Sequence, residues 1–192
     1  MPDSTHPVPD DVLLLCVDMQ PRFVAAVEHG ERIRRRCEFA LAAARGLGLP
    51  IAFSEQVPAK LGGTAPELLA AAPGAPVWGK ETFSALADPV IRRALDDRAV
   101  RHLLICGIET PICVYQTALD AIASGMQATV LADAVGARRS DDAAACLQAL
   151  TRAGAHVLPA ETVFYALLRD VSHPFFREYT RLVRHHHDAV SA

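Results

Sequence analysis

The sequence predicts a three-layer α-β-α domain, doubly wound, with a mostly parallel sheet covered on both faces. Three observations carry this expectation. Short, nearly unbroken apolar runs recur along the chain, amphipathic segments with helical spacing separate them, and the two kinds alternate from residue 12 to about residue 160. Strands buried on both faces read as continuous apolar runs, whereas strands with one wet face alternate.

The elements follow in order. Residues 12–18, VLLLCVD, are an apolar strand ending in an acid. Residues 31–48 carry Ile33, Cys37, Ala40, Leu41 and Ala44 on one helical face and stop at Gly46 and Gly48. Residues 50–55 read as a second strand, and the glycine- and proline-rich stretch 56–76 as a long connection over one face. A short strand is expected at 76–78, then a helix at 88–97 with Asp88 as N-cap and Pro89 in its first position. A strand at 101–107 leads to a helix at 111–125 closed by Gly125, and a strand at 127–133 to a helix at 140–154 capped by Ser140 and stopped by Gly154. The last strand is 155–160, and helices over 161–170 and 173–187 end the pattern.

A length of 192 residues favours one domain over 1–192, with residues 1–10 flexible and 180–192 forming a helix end and tail. The chain is 51% hydrophobic and 21% charged with a net charge of -3, which points away from nucleic-acid and membrane partners. Arg34, Arg35 and Arg36 fall within a helical pattern and are expected on a solvated face. The acidic, proline-rich start lacks the basic and apolar regions of a signal peptide, and no apolar run approaches a membrane span. Five cysteines form an odd set without close pairs, which argues for a reducing, cytoplasmic setting rather than a disulfide framework. There is no CxxC, so no structural metal is expected, and His185 to His187 read as a solvated helix end.

In doubly wound sheets ligands bind beyond the carboxyl ends of the strands. Asp18 ends the first strand, Lys80 follows the segment near 76–78, and Cys113 follows the strand at 101–107. An acid, an amine and a thiol thus fall on one rim, a nucleophile with two candidate proton-handling partners. Thr110 as N-cap and Pro111 as first helical residue set Cys113 in a first turn, where the helix dipole favours thiolate and free N–H groups suit an oxyanion. Taken alone, Cys113 is equally a small apolar residue filling a helix face. Cys16, Cys37, Cys106 and Cys146 lie on apolar faces and are expected in the core.

The segments VDMQPRF, GKETFS and GIETPICVYQTALDA together resemble the isochorismatase-like cysteine hydrolase superfamily, from the first strand through LADAVGARR to AETVFYALLRD. The resemblance implies the isochorismatase-like hydrolase fold and an Asp–Lys–Cys triad, with Asp18 as general base, Cys113 as nucleophile and Lys80 bridging them. It implies a cis peptide between Ile108 and Glu109, and an oxyanion hole from the backbone N–H groups of Glu109 and Cys113. Amide hydrolysis through a thioester follows, in a homo-oligomer, dimer or tetramer, acting on a small molecule without a cofactor.

Departures narrow the expectation. Nicotinamidases of this superfamily bind a metal through Asp-x-His and further histidines; residues 53–68 here contain no histidine. True isochorismatases do not depend on a cysteine nucleophile. The SEQVPAKLGG stretch is most similar to isochorismatase-domain hydrolases of unassigned substrate. Phe23, Gln56, Trp78, Phe83 and Thr110 are the expected lining of a small, partly apolar acyl pocket. The alternatives are a non-catalytic oligomeric scaffold of the same fold, a nicotinamidase, or another isochorismatase-type hydrolase.

Overall fold

A computed structural model describes residues 10–188, with side chains through His186. Six strands, β1 (Val12–Val17), β2 (Ile51–Gln56), β3 (Val77–Lys80), β4 (His102–Ile108), β5 (Gln127–Gly136) and β6 (His156–Leu158), pair in parallel. Their order is β3-β2-β1-β4-β5-β6. A parallel neighbour needs a crossover, so helical segments separate the strands: α1 (Pro21–Val24), α2 (Gly30–Leu47), α3 (Pro58–Leu61), α4 (Pro66–Ala71), α5 (Pro89–Asp97), α6 (Tyr115–Ala123), α7 (Ser140–Arg152) and, after β6, α8 (Ala160–Leu168) and α9 (Phe176–Asp188). No described helix is long and apolar enough to cross a membrane.

Every residue of β1 is buried, because its two faces feed two cores. Leu14 and Cys16 pack with Phe39, Phe164 and Tyr179 of α2, α8 and α9. Leu13, Leu15 and Val17 pack with Ile91, Leu95, Ala118 and Leu150 of α5, α6 and α7. Each such Leu stabilises the fold by about 1.5–3 kcal/mol relative to exposure. Phe39 anchors the first core, edge-on to Phe164 at 6.1 Å and tilted to Tyr179 at 5.9 Å.

All six expected strands and the main helices form, with shifted edges. β6 shrinks to three residues, and β5 extends to Gly136 past a register irregularity opposite Ile105 and Gly107. The 56–76 connection contains α3 and α4, each with a proline in its opening turn. Gly46 does not end α2; it lies inside it, where an added Cβ would sit 1.9 Å from Phe175 Cζ, and Gly48 at φ 75° makes the cap.

Two caps differ in outcome. Asp88 accepts from the N–H groups of Val90 and Ile91 at 2.9 and 3.2 Å. Asp88→Ala is expected to cost about 1 kcal/mol, read as a lowered urea midpoint with an unchanged slope. Ser140 is instead the first residue of α7; its N–H donates to Glu28 Oε2 at 2.9 Å and its hydroxyl to the same oxygen, so a distant carboxylate caps the helix.

The arginine cluster divides. Arg34 stays on the helix surface between Glu31 and Glu38. Arg36 is buried against the sheet, 2.5 Å from Asp133 Oδ2 and 3.6 Å from Glu161 Oε1, with its guanidinium 4.4 Å from the Phe39 ring centre. The expected C-terminal tail is likewise a docked helix through Asp188: His186 is buried, its ring 5.6 Å from that of Phe39, whereas His185 is exposed. Residues 189–192, and all of the expected flexible stretch 1–10 except Asp10, lie outside the described residues, as does the side chain of His187.

Candidate active site

Strand order reverses between β1 and β4, and a crevice opens beyond their carboxyl ends at that point. Asp18 follows β1 directly, in the left-handed region at φ 51°, with its N–H donating to Ser54 O at 3.0 Å. Gly107 of β4 sits beside Val17, and at φ 111° an added Cβ would lie 2.1 Å from Val17 O, so only glycine lets the two strand ends approach this closely. The Ile108–Glu109 peptide that follows is cis.

Asp18 and Lys80 are 1% and 2% exposed, so both charges must be compensated within the protein. Lys80 Nζ donates to Asp18 Oδ2 at 2.7 Å, Gln56 Oε1 at 2.6 Å and Thr82 O at 3.1 Å. Three acceptors match the three donors of an ammonium group. The other carboxylate oxygen, Asp18 Oδ1, accepts from Ser54 Oγ at 2.8 Å. Both oxygens are thereby held, and the ion pair is fixed in orientation.

Gln56 ends β2 beside Lys80 in register. Its Nε2 donates to Glu81 O at 2.9 Å, which turns Oε1 toward Lys80 and toward the Cys113 thiol, 3.9 Å away. Gln20 secures the Gln56 backbone from both sides: Oε1 accepts from Gln56 N at 2.8 Å, and Nε2 donates to Gln56 O at 3.1 Å and to Gly62 O at 2.6 Å. Gln20 and Ser54 are fully buried and were not singled out from the sequence. A polar residue in a strand buried on both faces, such as Ser54, was the available signal.

Cys113 lies in a single π-helical turn, Thr110–Val114, that opens onto α6. Glu109 occupies the N-cap position without a side-chain bond, and the buried Thr110 hydroxyl has no hydrogen-bond partner, so the expected Thr110 cap is absent. Nor is the thiol acidified as the helix start suggested. Burial, the largest cause, and the Asp18 charge together push its pKa up to about 12 against the opposing pull of Lys80. Cys113 thus presents a thiol beside an ion pair.

A cavity of about 100 Å³ opens on this cluster. Cys113, Asp18 and Gln56 form its floor, and Phe23, Phe83, Ile108, Ile112 and Glu109 its walls. Glu109 is thus a lining residue, and its side-chain Oε2 accepts from Arg138 Nε at 3.0 Å. Trp78 and Thr110 do not line this cavity. Trp78 packs against the second core, and Thr110 is buried behind the turn.

Away from the site, Cys16, Cys37 and Cys106 bring their sulfurs within 4.8 Å of one another, since Cys16 and Cys106 are register partners and α2 lies across them. Among the described residues this is the one grouping of three or more potential metal ligands. All three are fully buried, and burial helps to raise each thiol's pKa. Cys146 is partly exposed on α7 rather than in the core.

The fold and this cluster define a three-layer α/β protein with an acid, an amine and a thiol gathered where its strand order reverses. The isochorismatase domain model matches residues 12–162. Isochorismatase domain-containing protein 2A of Mus musculus is 34% identical over 178 residues, covering 92% of this chain and 84% of that protein. A solved structure, the MAR1 ribonuclease of Caenorhabditis elegans, superposes with a TM-score of 0.85 at 30% identity, covering 91% of this chain and 90% of that one. The Escherichia coli YcaC gene product, described as an octameric hydrolase of unknown specificity, superposes with a TM-score of 0.80 at 23% identity over 94% and 95% of the two chains. The chain belongs to the isochorismatase domain family, and with it to a class of hydrolase-type enzymes.

Proposed function

We propose that the protein is a cysteine hydrolase that cleaves a small amide-type C–N bond through a thioester, with Asp18, Lys80 and Cys113 as its catalytic residues. The observation that carries this reading is the buried Lys80–Asp18 ion pair beside a thiol that lines a small cavity. A buried ion pair is a poor source of stability compared with apolar packing, so a chemical role accounts for it better than a structural one.

The chemistry runs as follows. Cys113 Sγ attacks the carbonyl carbon as its proton passes to Asp18, so thiolate forms only in the attack. The N–H groups of Glu109 and Cys113 hold the oxyanion, a contribution of roughly 3 kcal/mol per donor to the barrier. Lys80 keeps its charge throughout and stabilises first the carboxylate and then the developing thiolate. Collapse breaks the C–N bond, and the amine leaves with the proton from Asp18. Water, giving its proton to Asp18, then attacks the thioester, and the acid departs as the thiol is restored.

A ribonuclease reading, taken from the name of the C. elegans structure, finds less support. Among the described residues no lysine or arginine lines the cavity, the neighbouring Lys80 ammonium is committed to three acceptors, and the chain's net charge is -3. The deciding experiment measures ammonia release from a panel of small amides, with mass spectrometry of the quenched enzyme. An acyl adduct on Cys113 with ammonia release supports the reading; RNA cleavage that persists in Cys113→Ala, without amide turnover, overturns it. Five unpaired cysteines support a reducing, cytoplasmic setting, and the octameric E. coli neighbour supports a homo-oligomer.

Gln56 has a positioning role in this scheme. Gln56→Leu removes one acceptor from the Lys80 ammonium, and stability is expected to fall by about 1–3 kcal/mol. Turnover is expected to fall roughly 10²-fold in kcat with a smaller change in KM, while Gln56→Glu restores an acceptor and part of the rate.

A further inference from the structure

We infer that the site selects an uncharged carboxamide and rejects both carboxylate-bearing and ammonium-bearing analogues; this deepens, and rests on, the amide-hydrolase reading above. Every charge facing the cavity already has a partner. Asp18 is neutralised by Lys80, and the three N–H donors of Lys80 are taken by Asp18, Gln56 and Thr82. At the wall, the Glu109 carboxylate is held by Arg138, whose side chain is 61% exposed and turned to solvent.

An anionic substrate would bring its charge beside the Asp18 carboxylate and the acidic residue Glu109, with no lysine or arginine among the described residues that line the cavity. Its remaining surroundings would be Phe23, Phe83, Ile108 and Ile112. A charge taken from water into such walls without a partner is strongly disfavoured. An ammonium group fares no better, because both carboxylates are already paired and the Lys80 ammonium stands 2.7 Å from Asp18 Oδ2, next to the lining. A neutral amide loses only modest hydration on entry, and the backbone N–H groups receive its carbonyl.

Size acts less sharply than charge. The volume of about 100 Å³ equals roughly three waters at ~30 Å³ each, room for a short acyl group. Phe83, however, is 56% exposed, so one wall borders solvent. Charge exclusion rests chiefly on the buried Asp18–Lys80 pair and Ile108.

The test uses two readouts so that the two readings fail separately. Cys113 is alkylated with iodoacetamide and with iodoacetate, each rate being normalised to the same reagent on the urea-unfolded protein and followed by peptide mass spectrometry. The uncharged reagent is expected to be favoured at least about tenfold over the anionic one, and Glu109→Gln, which removes a carboxylate and frees Arg138, is expected to narrow that ratio. Equal normalised rates overturn the inference, as does a native Cys113 that iodoacetamide never reaches. In parallel, ammonia release is compared for propionamide, malonamate and β-alaninamide. Turnover of propionamide alone supports both readings. Turnover of malonamate or β-alaninamide at a rate equal to propionamide overturns the charge selection and leaves the amidase reading standing. Failure of all three amides, with the alkylation ratio intact, overturns the amidase reading and leaves the charge selection standing.

Discussion

The Cys113→Ala protein is expected to fold, to lose only about 1 kcal/mol of stability, and to release ammonia at least roughly 10⁴-fold more slowly than the parent. The small stability cost follows from the size of the change at a mostly buried position next to an existing cavity. The large kinetic cost follows because, in the proposed mechanism, Cys113 Sγ carries the acyl group. The substitution has a second, pH-dependent signature. Its folded pKa is pushed up to about 12 from an ordinary value of 9.0. As pH rises from about 9 toward 12, the unfolded chain gives up this proton and the native state keeps it, so native stability falls across that window. Urea unfolding of Cys113→Ala is expected to show a shallower alkaline loss than the parent. Cys16, Cys37, Cys106, Cys146 and Tyr179, all raised in the same sense, contribute to the remaining slope.

Lys80→Met is expected to be the most damaging single change to stability within the site. It strips the partner from a carboxylate that is 1% exposed, and also leaves Gln56 Oε1 and Thr82 O without their donor. Breaking a buried pair from one side costs about 3–5 kcal/mol. Asp18→Asn combined with Lys80→Met removes both charges and is expected to recover much of the stability of the single variant, though none of the activity. Urea midpoints of the parent, both single variants and the double variant measure this coupling directly. A double variant no more stable than Lys80→Met would show that the two groups do not act as a pair.

The readable part of the site came from chain geometry. Asp18, Lys80 and Cys113 each follow an apolar run, and residues just past the ends of parallel strands share one rim whatever their distance in sequence. Gln56 was legible for the same reason. Gln20, Ser54 and Arg138 were not, because their partners depend on strand register and on where loops meet: nothing local sets Gln20 against the backbone of a residue 36 positions away. Trp78 and Thr110 show the converse, since nearness in sequence to a catalytic position does not fix which face a side chain takes.

Local sequence determined the elements themselves: the unbroken apolar strands, the Asp88 cap, the glycine stops at 48 and 125, and the β-α alternation that compels a parallel sheet. Those features rest on interactions within a few residues, and short-range physics suffices to read them. Tertiary structure alone decided three further matters. Docking of α9 and β5 onto α2 buried Arg36 and His186, which the helical pattern had assigned to solvent. Crossing of α2 over the sheet gathered three thiols from residues 16, 37 and 106. And the proton on Cys113 is held by a sum of burial and two opposed charges from distant strands, which outweighs the helix start visible in the sequence. Desolvation and charge are set by everything within several ångströms in space, and that neighbourhood exists only once the chain has folded.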